Sequence, residues 1–236
     1  MVSSSRGRSS LSDPTTRFPV SSGRRVLVGT AAAFSLAGLV VELLRHLAGA
    51  QGPMISLWSL SYEGNMPSWY ASVLPLLCAG LLTWVAAGEV IDRFYWRLLA
   101  LGFLVISIDE AVGFHEQLSG RYDVGGVLYF DWVIPAGILV AVLGVAFIGF
   151  LRRLSPETAR RFVVAGALYV TGAVLCELPL GWWTERYGDD SFGYALIDWC
   201  EETLEFVGLT VFAAALLARL EGRQLAVTPR GAAPTR

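Results

Sequence analysis

Six apolar stretches, separated by short polar connections, constrain this chain more than any other feature. They run at roughly 26–47, 67–88, 97–117, 128–151, 162–183 and 194–218. A helix needs about 20 apolar residues to cross the hydrocarbon core of a bilayer. Lipid offers backbone polar groups no partner, so such stretches must satisfy themselves as helices. Composition agrees: 54% of the 236 residues are hydrophobic and 16% charged, whereas a soluble domain carries about a quarter charged residues. The sequence predicts an all-α, polytopic transmembrane helical bundle of six spans over 25–220. Disordered tails are expected at 1–24, rich in Ser, Arg, Thr and Pro, and at 221–236.

The first stretch has a second reading. Arg24 and Arg25 precede it and Ala48-Gly49-Ala50 follows it, the flanks of a cleaved signal peptide. Glu42, Arg45 and His46 lie inside the run, where a signal core is purely apolar, and favour a retained span.

Arginine sets the orientation. All 18 basic residues are Arg, and with an inside N-terminus only Arg45, Arg121 and Arg186 fall outside. Positive residues stay on the cytoplasmic side, so both termini are expected there, in a multi-pass protein of the cell membrane. The arginine-rich segments then serve topology and call for no nucleic-acid partner.

With orientation fixed, the acids acquire depths. Glu42 and His46 lie near the outer end of the first span. Asp109, Glu110, His115 and Glu116 occupy the outer half of the third, and Glu177 that of the fifth. Asp198, Glu201, Glu202 and Glu205 fill the start of the sixth. At 1.5 Å per residue, Glu42, Glu177 and Glu201 lie about 10 Å below their outer helix ends, and Asp109 and Glu205 about 14–16 Å. The four acids of the sixth span form one stripe within about 100° of helix circumference. Asp109 and Glu116 share a face at two turns' spacing. Glu110 and His115 project away from it, so the motif enters one site only through a kink. Asp131, at the start of the fourth span, is close enough to a helix end to reach water unaided.

An ionised carboxylate near the bilayer centre costs about 2.5–3.5 kcal/mol before any pairing, and three outer arginines cannot neutralise so many. Carboxylates with one or two histidines suit divalent metals, and helical bundles hold metal–carboxylate centres from inward-facing Glu and His. The expected ligands are Asp109, Glu116, Glu177, Glu201 and Glu205, with nitrogen from His115 or His46 and Glu42 beside it. Glu110 and Glu202 are left as spare carboxylates for acid–base catalysis. Iron or manganese in such a site points to oxidation of a lipid-like substrate, zinc to hydrolysis. His46 and His115 can also be read as axial haem ligands. The alternative to a metal-dependent enzyme is a proton- or cation-coupled transporter. It requires a polar path inward, and GILVAVLGVAFIGF in the fourth span and LTVFAAALLA in the sixth carry no ionisable residue. A third reading is a structural subunit whose acids meet a partner protein.

The strings SIDEAVGFHEQL and EETLEFVGLT resemble segments of bacterial multi-pass membrane proteins of unassigned function. In those, an Asp-Glu…His-Glu span precedes a Glu-Glu-x-x-Glu span. Here the elements are Asp109, Glu110, His115, Glu116, Glu201, Glu202 and Glu205. The resemblance covers the third to sixth spans and implies a membrane architecture without an activity. Intramembrane hydrolases related to alkaline ceramidases are a poor match, because their zinc site uses three histidines and this chain has 2.

Overall fold

The computed structural model of the protein describes residues 20–122 and 124–221. The expected tails lie outside these residues except at their inner ends. Residues 20–24 are helical, contrary to expectation, and open the first long helix, α1 (Val20–Ala48). A short α2 (Pro53–Trp58) follows, then α3 (Met66–Ala87), α4 (Arg93–Val112) and a one-turn α5 (Phe114–Leu118). Helix α6 (Val133–Arg153) comes after a 3-10 turn at Gly126–Leu128. Then α7 (Pro156–Val170), a π-helical turn (Thr171–Cys176) and α8 (Glu177–Tyr187) form one interrupted rod, and α9 (Phe192–Leu220) ends the described chain.

Local chemistry explains where these helices start. Asn65 caps α3 by accepting from the Ser68 N–H at 3.1 Å, Ser155 caps α7 through Thr158 N–H, and Ser191 caps α9 through Tyr194 N–H. Pro67 and Pro156 occupy first-turn positions, where a missing N–H costs nothing. Pro179 is different. Inside a helix its ring meets the carbonyl four residues back, which is Leu175 in the π turn; the wider turn makes room for it.

Helix α9 is the centre of the bundle. It packs against α1, α3, α7, the π turn and α8. Its buried Phe206, Leu209, Phe212 and Leu216 face Tyr70, Leu74, Leu82, Val85, Trp96 and Phe162 from its neighbours. Helices α3 and α4 form a tight hairpin. By contrast α6 packs along α7 and the π turn and, near its C-terminal end, on Tyr95 and Trp96 of α4, and leaves Ile138, Val142 and Val145 exposed. Apolar side chains left outward in this way face lipid. Tyr70 and Trp96 are core residues: Tyr70 stacks on Phe34 at 4.4 Å, and Trp96 is fully buried against Phe150.

Among the described residues, five helical segments are long and apolar enough to cross a membrane: Ser22–Ala48, Met66–Ala87, Val133–Arg153, Pro156–Tyr187 and Phe192–Leu220. The protein is a multi-pass membrane protein. Helix α4, at 20 residues, is one residue shorter than the shortest of them and carries Arg93, Arg97, Asp109 and Glu110. At one end of the bundle Arg24 pairs with Glu221 (3.0 Å), Arg219 with Glu89 (2.7 Å) and Arg153 with Asp92 (2.7 Å). The acidic motifs lie toward the other.

Candidate functional site: a carboxylate chamber

Three arrangements at the acidic end divide the residues singled out from sequence. The first is a clamp on α1. Glu42 is fully buried. Ser59 Oγ donates to its Oε1, Arg45 donates to Oε2 at 3.5 Å, and His46 Nε2 lies 3.4 Å from the same oxygen. Arg45 also pairs with Asp190 and sits 4.8 Å over the Tyr62 ring. Glu42 and Arg45 therefore tie α1 to the 59–62 loop, and Arg45 ties it to the turn before α9, with His46 packed beside them.

The second arrangement depends on a break in α4. Gly113 takes a left-handed conformation (φ 65°) and its N–H closes on Asp109 O at 2.7 Å. This is the kink that the third-span motif requires. It brings His115 back onto Asp109, with Nδ1 2.7 Å from Oδ2 and the His115 backbone N–H donating to Oδ1 at 3.1 Å. The imidazole lies against the Trp132 ring at 4.8 Å, and Trp132 Nε1 donates to Glu177 Oε1 at 3.0 Å. Asp109, His115, Trp132 and Glu177 thus join α4, α5, the approach to α6 and α8. Asp131 does not reach water as expected; it is buried and accepts from Tyr122 N–H at 2.7 Å.

The third is a chamber of carboxylates around α9. Glu205 feels the charges of Glu110, Glu202, Glu201 and Glu177. Those acting on Glu202 are Glu110, Asp198 and Glu63. Glu110 in turn faces His115, Asp109, Glu63 and Glu116. Among the described residues, no ion pair joins an arginine to Glu110, Glu177, Glu201, Glu202 or Glu205; Arg45 is committed to Glu42 and Asp190, and Arg186 to Glu185 and the Trp182 ring. Glu205 is 7% exposed and its carboxylate has no hydrogen-bond partner, while Oε2 of Glu177 and of Glu201 are buried without one. Close packing sets this depth. A Cβ on Gly172 would meet Glu201 O at 2.7 Å and Glu205 Cγ at 2.8 Å, so the π turn presses directly on the acidic stripe.

The metal centre expected from sequence is not there. Among the described residues no three His, Cys, Asp or Glu side chains are placed to hold a metal ion. The reason is prior commitment. Asp109 and His115 bind each other, Glu42 and His46 belong to the clamp, and Glu177 is held by Trp132. Glu201 and Glu205 stand one above the other on α9, with Glu116 on the short α5. The divalent iron, manganese or zinc cofactor, and the metal-dependent acid–base role given to Glu110 and Glu202, are withdrawn with it.

Sequence reasoning missed Glu63. It enters the chamber from the 59–65 loop and acts on Glu110, Asp198 and Glu202. Its carboxyl is pushed above the usual carboxylate range, first by desolvation and then by Glu116, against the opposing pull of His115. Ser61 fixes the same loop by donating to Asp198 Oδ2 at 2.6 Å.

Helices apolar enough to cross a membrane, with acidic residues gathered toward one end of their bundle, define a class, that of polytopic helical membrane proteins. Over residues 32–220 the chain belongs to a family described as a domain of unknown function (DUF8692). No curated protein and no solved structure matches it.

Proposed function

We propose that this is a six-span membrane protein with both termini cytoplasmic, and that its outer chamber binds protons as the coupling site of a proton-coupled transporter. Counting α4 as a span keeps the α3–α4 hairpin within the bilayer and puts the arginine-rich end inside. Fusions of a topology reporter at residue 155 and after residue 221 are expected to report the cytoplasm, and one at residue 188 the outside. A cytoplasmic signal at 188 would turn the chamber inward and remove the proposal.

The observation that carries the reading is the set of acids facing one another without an arginine among them. Carboxylates so arranged in a low-dielectric site cannot all ionise together, so protons stand in for cations. Ionisable residues at this depth are expensive, and proton relays are their common use. The inner half is filled by aromatic side chains, Trp96, Phe150, Phe162, Phe206 and Phe212. This supports an outward-facing state whose inner path is closed.

A carbodiimide, which attacks protonated carboxyl groups in apolar surroundings, tests this directly. At neutral pH it is expected to label Glu202 or Glu205 in the full-length protein in lipid nanodiscs. Raising the pH suppresses labelling, and Glu205→Gln removes its share. A chamber that stays unlabelled down to mildly acidic pH would show that its carboxylates are ionised, and the proton-coupled reading would fail.

A further inference from the structure

Directly beneath the chamber lies an apolar groove. Its cavity volume is about 200 Å³ and its walls come from α4, α6, α7 and α9, among them Phe103, Phe147, Phe162 and Phe212. At its inner end Phe147 and Phe150 of α6 pack on Tyr95 and Trp96 of α4. Elsewhere α6 packs along α7 and the π turn, and the groove lies between α4 and α6 on one side and α7 and α9 on the other.

Groove and chamber meet at Tyr169. Its ring lines the groove, and Glu205, Glu110, Glu202 and Asp109 act on its hydroxyl. Gly208, also a lining residue, is three residues from Glu205 on α9, about 4.5 Å along the helix. One turn above Gly208 stands Glu205, a residue 7% exposed that packs on Gly172 of the π turn and has no hydrogen-bond partner. An unpartnered buried carboxylate is costly, and a ligand cation removes that cost.

Resting on the proton-binding reading of the chamber, we propose that chamber and groove form one binding site for a single-chain amphiphile with a cationic amine head. The ammonium sits at Glu205, and the hydrocarbon chain lies along Phe103, Phe162 and Phe212. Charge complementarity selects the head: a carboxylate or phosphate would meet only like charges from Glu63, Glu110, Glu177, Glu201, Glu202 and Glu205, with His115 already bound to Asp109. The groove's small volume selects one chain rather than two. A protonated carboxyl that accepts the ammonium releases its proton to the outside, so amine and proton compete for one site. The groups that act on Glu205 are Glu110 on α4, Glu177 on α8 and Glu201 and Glu202 on α9, with Tyr169 of α7 beside it.

Full-length protein in phosphatidylcholine nanodiscs, titrated with dodecylamine and read by native mass spectrometry together with proton release into weak buffer, tests the proposal. Dodecylamine is expected to bind saturably at about one equivalent. Dodecanol and ethylamine should each bind at least about tenfold more weakly, because each lacks one half of the recognition, and dodecanoate should not compete. Glu205→Gln is expected to weaken dodecylamine by about tenfold to a hundredfold, the worth of a charged hydrogen bond. Gly166→Leu fills the groove where a Cβ on Gly166 meets no atom within 4 Å, and should cut the preference for dodecylamine over ethylamine by about tenfold. Dodecanol or dodecanoate binding as well as the amine, or an unchanged chain-length preference in Gly166→Leu, overturns the site. Saturable amine binding without proton release, at one affinity across pH, overturns the proton reading and leaves the amine site standing.

Discussion

Glu42→Ala will lower unfolding stability by about 3–5 kcal/mol, the usual consequence of removing one partner from a buried, hydrogen-bonded ion pair. The carboxylate is fully buried and joins Ser59, Arg45 and His46. Its loss leaves Ser59 Oγ, itself buried, without its acceptor and separates the 59–62 loop from α1. Asp190 provides the contrast. It also pairs with Arg45, but its side chain is 82% exposed, and Asp190→Ala should change stability by no more than about 0.5 kcal/mol. Denaturant titration of both variants in mild detergent measures the difference. Equal, small effects would mean that the clamp does not hold α1 in place.

The second large effect is steric. Gly208→Ala would put a methyl 2.7 Å from Tyr169 N and 2.9 Å from Ala165 O, and Gly172→Ala one 2.7 Å from Glu201 O. Backbone atoms cannot step aside as side chains do, so the α7–α9 seam must open. Each substitution is expected to cost about 1–3 kcal/mol, the range for overpacking a tight interior. Gly80→Ala and Gly144→Ala, where a Cβ meets nothing within 4 Å, should instead be neutral or gain up to about 1 kcal/mol from the helix preference of Ala. Thermal unfolding of the four variants separates the cases. A stable Gly208→Ala would place the seam further apart than the structure has it.

What could be read from the sequence followed from hydropathy and helical period. Those signals are local; they located α3 and α9 to within two residues at each end, and missed the starts of α1 and α6 by six and five. They also placed Asp109, Glu177, Glu201 and Glu205 toward one end. The geometry at Gly113 was legible as a condition, since Glu110 and His115 could join Asp109 only through a kink. Convergence was not legible. Equal depth says nothing about azimuth, and a carboxylate's partner can come from any helix or loop. Ser59 and Trp132, which take Glu42 and Glu177 out of any ligand set, lie in connections that carry no period. Glu63 is hidden for the same reason: the 59–65 loop folds inward because Asn65 holds Ser56 O and Ser59 O while Ser61 reaches Asp198. The metal centre was inferred from a count of acids, and the count was silent on these commitments.

The π turn also fixes a phase. Each α-helical residue advances the chain by about 100°, and a π turn holds one residue more than the α turn that it replaces. Everything from Glu177 onward in α8 is therefore rotated by about one residue's angle relative to α7. Loss of a single codon anywhere in 171–176 would leave hydropathy and length almost unchanged and let the rod close into an unbroken α-helix. It would also swing Glu177 away from Trp132 and carry Trp182 and Trp183 to a new face. Substitutions in this stretch act on packing alone, whereas a one-residue deletion reassigns every side chain beyond it.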